Sequence, residues 1–70
     1  MKQYDMVKVT AIRDDRFTNK SPGFQRDPQV GDIGTILEIY PDAFEVECAE
    51  EGTGITIWLE AMYQDELEVA

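Results

Sequence analysis

An all-β fold, a small barrel of about five short strands, is predicted for this chain from the way its residues alternate. Three observations carry that expectation. Apolar and polar residues change places every second position in several short runs. Turn-forming residues (Gly, Pro, Asp) separate those runs at short intervals. Seventy residues hold a single cysteine and no histidine, so the core must form without a disulfide and fills one domain, residues 1–70.

Taken in order, residues 4–12 (YDMVKVTAI) alternate and are rich in β-branched side chains, which predicts the first strand. Arg13 to Val30 carries Asp14, Asp15, Asn19, Ser21, Pro22, Gly23, Asp27 and Pro28, a composition that predicts a long first loop. Gly31-Asp32 opens a second strand from Ile33 to Tyr40, and Pro41-Asp42 turns the chain. Phe44 to Ala49 is the third strand, with Phe44, Val46 and Cys48 on one face and Glu45 and Glu47 on the other. Glu50 to Thr53 makes the next turn, and Gly54 to Leu59 a fourth strand with Ile55, Ile57 and Leu59 inward. Glu60 to Gln64 is expected as a short helical turn and Glu66 to Val69 as the last strand. A long first loop and a helical turn before the last strand make this the pattern of an SH3-like barrel. Its expected core is Val7, Val9, Ile39, Phe44, Val46, Ile57 and Leu67.

The charge is unevenly placed. Residues 1–26 hold all six basic side chains and three carboxylates, whereas residues 27–70 hold twelve carboxylates and no cation, which gives the net −9. That balance counts against nucleic acid and favours a basic protein partner, because phosphate needs a cationic surface. Without histidine, the commonest general base and metal ligand is missing. Cys48 has an inward parity and no histidine beside it, and the carboxylates lack the spacing of a calcium loop. The expectation is therefore no enzyme, no cofactor and no metal. With no signal peptide and no long apolar run, the expected location is cytoplasmic.

If Ile39 faces Phe44 and Cys48 faces Ile55, the outer face carries a row Glu38–Glu45–Trp58, with Ile36–Glu47–Thr56 beside it. A tryptophan on a carboxylate-lined face is a candidate binding anchor. The candidate partner-binding residues are Glu38, Tyr40, Glu45, Glu47, Trp58 and, from the long loop, Phe17. The loop also offers a different arrangement, in which Phe17 and Phe24 fold over Trp58 while Arg13 or Arg16 neutralises the glutamates. Both remain open at this level.

The run Gly31-Asp32-Ile33-Gly34-Thr35-Ile36-Leu37-Glu38-Ile39-Tyr40, followed by Phe44-Glu45-Val46-Glu47, resembles a family of short bacterial SH3-like barrels of unknown function. Asp5-Met6-Val7 and Asp65-Glu66-Leu67 fit its two ends, and residues 13–29 depart from it. More distantly, Gly31, Gly34, Ile36 and Ile39 look like a KOW motif. The family implies the barrel and no activity. The functional expectation is a non-enzymatic protein-binding module, an inhibitor or immunity-type protein or an accessory subunit, that recognises a basic partner through an acidic, Trp-containing face. The alternative is a KOW-like nucleic-acid or ribosome-associated module using the basic N-terminal segment.

Overall fold

A computed structural model describes residues 1–17 and 25–70. The strands are β1 (Met6–Val9), β2 (Ile33–Ile39), β3 (Phe44–Ala49), β4 (Thr56–Met62) and β5 (Leu67–Val69), with a 3₁₀ turn at Gln64–Glu66. All pairings are antiparallel, and the sheet order is β4-β3-β2-β1-β5. The all-β class and the turn before the last strand agree with expectation. The barrel does not: this is an open sheet, and β4 and β5 are its two unjoined edges. Two features keep it open. Strand β5 has only three residues and pairs with β1 alone. At β4, the carbonyl of Ile57 accepts the amide of Gln25 (2.9 Å), and that of Ala61 accepts the Arg16 guanidinium (3.2 Å). Segments flanking the long loop thus occupy the hydrogen-bonding edge that closure would need.

One face of the sheet and the start of the loop enclose the core: Val7, Val9, Phe17, Ile36, Val46, Cys48, Trp58, Met62 and Leu67. Ile12, Phe44 and Ile57 pack against it partly buried, and Ile39 is exposed. Ile39 lies at the end of β2, and two irregularities bring Ile36 and Trp58 into the core instead. Ile39 pairs with Phe44 and Glu38 with Glu45 as expected, but a bulge between Ile36 and Glu38 brings Ile36, rather than Leu37, opposite Val46. One extra residue inverts which side chains face inward on the first half of β2. In the next hairpin Cys48 lies opposite Trp58, not Ile55. The slip of three positions is odd, so it exchanges the faces of β4 and turns Trp58 inward. Two of the three positions come from the turn: Gly52 and Gly54 adopt positive φ (89° and 73°), Gly54 donates to the Glu50 carbonyl, and Thr56 is the residue that faces Ala49. The third, which reverses the parity, is a bulge at Ile57 between the Ala49–Thr56 and Cys48–Trp58 pairs.

Gly34 sits where β2 is squeezed between neighbours. A β-carbon there would lie 2.7 Å from Val46 Cγ1 and 2.8 Å from the Glu47 carbonyl oxygen, so only glycine lets β2 and β3 approach this closely. No helix among the described residues is long and apolar enough to cross a membrane.

Candidate functional site

The described ends of the long loop are fastened to the sheet by two carboxylates. At the first end, Glu66 is fully buried, and each of its oxygens accepts two N–H groups. Oε1 takes the Arg16 guanidinium (2.5 Å) and the Tyr63 amide (2.9 Å); Oε2 takes Arg16 (2.9 Å) and the Arg13 amide (2.9 Å). Burial by itself would raise the Glu66 pKa, but these donors outweigh it and hold the carboxyl below its usual range. The hydrogen bonds to Glu66 correspondingly push the Arg16 pKa up. The guanidiniums of Arg13 and Arg16 also lie over the Tyr63 ring, at 3.3 and 4.6 Å from its centre. Phe17 follows Arg16 directly into the core.

At the second end, Asp32 accepts both terminal nitrogens of Arg26 (2.9 Å each), the Gln29 amide (2.9 Å) and the Trp58 indole N–H (2.8 Å). Its burial also works to raise its pKa and is again outweighed by these hydrogen bonds, which lower it. Trp58, 1% exposed, therefore has its polar atom satisfied inside the protein. This corrects the outward tryptophan: Trp58 is a core residue on the side of the sheet opposite Glu45 and Glu47. Phe24 and Lys20 lie outside the described residues.

The other candidate residues do come together in part. Glu38 and Glu45 stand directly opposite each other across β2 and β3. The Tyr40 hydroxyl lies 3.4 Å from a Glu45 oxygen, and the residue is 44% exposed. Partial loss of water, then the charges of Glu45 and Glu38, push the Tyr40 phenol up. Glu47, one step along β3, accepts the Thr56 hydroxyl at 2.6 Å. Neither Glu38, Glu45 nor Glu47 pairs with a cation among the described residues.

Beside this acidic pair Tyr40 forms one wall of a hollow of about 350 Å³, lined also by Arg16, Phe17, Asp42, Glu60 and Tyr63. A wider groove of about 700 Å³ continues from it past Asp42 and Tyr63 to Arg13, Gln64 and Asp65. Sequence reasoning placed Phe17 and Tyr40 among the binding residues but missed Asp42, Glu60 and Tyr63. The tyrosine was legible as an aromatic just before a helical turn, whereas the acids come together only through the β2–β3 and β4 registers. Among the described residues no group of three or more His, Cys, Asp or Glu side chains is arranged to hold a metal ion. The Cys48 thiol is buried, and that burial, followed by the nearby Asp32 charge, raises its pKa. The hollows therefore offer shape and aromatic area, with Arg13 and Arg16 among their carboxylates, and negative charge unpaired among the described residues lies on the adjoining Glu38–Glu45 face.

The chain matches no family model, no curated protein and no solved structure. The resemblance to the short bacterial SH3-like barrels, and more distantly to KOW modules, is thereby corrected, since the sheet is open and no family match supports it.

Proposed function

We propose that this chain is a non-enzymatic protein-binding module that takes a basic segment of a partner at the acidic corner around Tyr40. The observation that carries this reading is the Glu38–Glu45 pair. Like charges directly opposite across two strands destabilise a sheet by roughly 0.2–1 kcal/mol. A lysine or arginine from a partner removes that repulsion on binding, while Tyr40 and the adjoining hollow supply aromatic contact and concavity. The placement of the arginines supports a protein partner over nucleic acid. Arg13, Arg16 and Arg26 each pair with a carboxylate of the same chain, which withdraws much of the basic N-terminal segment from phosphate binding.

The test is affinity capture at low salt from a lysate of the source organism, with the wild-type chain and with Glu38→Lys/Glu45→Lys as bait. Support is a basic protein retained by the wild type, released by salt, and absent from the double variant. Equal retention by both baits, or retention that disappears on nuclease treatment, sinks the reading.

A further inference from the structure

The outer face of the sheet changes character along β3, from Glu45 through Glu47 to Ala49. Beyond Ala49 lies a hollow of about 430 Å³ lined by Met6, Ile33, Ala49 and Glu51, on three different strands and the β3–β4 turn. Met6 is 54% and Ile33 42% exposed, although both sit in the regular parts of their strands, where Met6 faces Thr35 and Ile33 faces Lys8. The face is thus apolar at one end, with Lys8 beside Ile33, and acidic at the other, and the two ends are ~13 Å apart along the strand.

Three observations narrow the occupant. A second copy of this chain is disfavoured, because a net charge of −9 and Glu51 on the rim would set acid against acid. An added β-strand is disfavoured too. Carbonyls on the β4 edge already accept Gln25 and Arg16, and β5 is three residues long. A segment lying on the face, rather than at an edge, gains no backbone hydrogen bonds from the sheet, and a helix supplies its own while presenting one apolar side.

We infer that the partner presents a basic amphipathic helix, whose apolar side chains seat in the Met6–Ile33–Ala49 hollow while its lysines or arginines reach Glu47 and Glu51. This rests on the reading of the chain as a module for a basic protein and adds the form that the partner takes. Seating an apolar side chain between Met6 and Ile33 covers the exposed apolar area of this face, and the flanking glutamates set orientation and association rate.

The probe is a helical peptide of about 14 residues, ~21 Å long, with leucines on one face and lysines on the other. Its control has the same composition scrambled to remove the apolar face. Each is titrated into the isotope-labelled full chain and followed by amide chemical shifts. The expected result is at least tenfold tighter binding of the amphipathic peptide, shifts centred on Met6, Ile33 and Ala49, and loss of that advantage in Ile33→Gln. Met6→Gln serves as the second variant if the first does not fold. Equal affinity for the two peptides overturns the inference, as does an advantage that survives both substitutions. Concentration-dependent dimerisation abolished by Ile33→Gln overturns it in favour of a second copy. The acidic-corner reading is scored separately by Glu45→Lys, which weakens both peptides if that reading holds and neither if it fails.

Discussion

Replacing Glu66 by glutamine keeps the shape of the side chain and removes its charge, which isolates what the buried carboxylate does. Each Glu66 oxygen accepts one Arg16 N–H and one backbone N–H. Whichever way the amide is turned, its NH₂ therefore faces one guanidinium donor and one backbone donor. A buried backbone donor left without an acceptor costs ~1–3 kcal/mol, and a lost hydrogen bond to a charged group ~1.5–3. Arg16 keeps Asp14 at 2.9 Å and its side chain is 23% exposed, so the charged half falls at the low end of that range. The sum is about 3 kcal/mol, comparable to the whole stability of roughly 3–5 kcal/mol that a domain of this size commands. For a small domain this is a fall in Tm of about 12–24 °C. Urea and thermal unfolding monitored by Trp58 fluorescence measure it directly, since the only tryptophan is buried against the second fastening point. Asp65→Asn is the control: its contact with Arg13 is 3.7 Å long and largely exposed on both sides, so the change should stay within ~0.5 kcal/mol. A Glu66→Gln protein that melts within two or three degrees of wild type would show that the carboxylate does not fasten the loop.

Further outcomes follow from the same contacts. Glu66 and Asp32 titrate below their ordinary values of 4.5 and 3.8 in the folded protein, so the stability they contribute is present above those values and lost as pH falls through the lower folded ones; acid titration should shift Trp58 emission to the red over that range, and Asp32→Asn should remove part of the dependence. Gly34→Ala should cost ~1–3 kcal/mol in urea unfolding, because the new methyl meets backbone on one side and Val46 on the other. Glu38→Gln should raise stability by a few tenths to ~1 kcal/mol by relieving Glu45, and a destabilised variant would mean the two carboxylates do not repel. In the folded protein trypsin should cut slowly after Arg16 and Arg26, whose guanidiniums are held by Glu66 and Asp32; rapid cleavage there under native conditions would contradict those contacts.

The alternation of residues showed that five strands exist, and the Ile39–Phe44 and Glu38–Glu45 pairs follow from the short turn at Pro41-Asp42. Strand β4, expected to end at Leu59 before a helical turn over 60–64, instead runs on to Met62, and the turn falls at Gln64–Glu66. What alternation cannot show is an insertion. The bulges at Leu37 and Ile57 each shift parity by one residue, and together they bury Ile36 and Trp58. Trp58 was ambiguous for the same reason: a large aromatic suits an outer anchor and a core equally, and only its hydrogen bond to Asp32 decides between them. Glu66 was invisible as a buried group because its partners, Arg13 and Arg16, lie about fifty residues earlier and are joined to it only by the fold. The acidic corner was half legible, through Tyr40, Glu38 and Glu45, since these depend on one hairpin; its other wall at Glu60 and Tyr63 depends on the β4 register and was not.

The occupied edge of β4 has a consequence for how this protein fails. The Gln25 amide and the Arg16 guanidinium sit on β4 only while the ends of the loop are clasped, and both clasps are carboxylates. Net charge passes through zero near pH 4.1, where repulsion between molecules is least. Asp32, held below its ordinary 3.8, keeps its clasp past that point, so the seven-residue β4 is still guarded there. When further acid opens the clasp, the six basic side chains give the chain a net positive charge and neighbours repel again. The bare strand edge and the loss of mutual repulsion are thus reached at different pH.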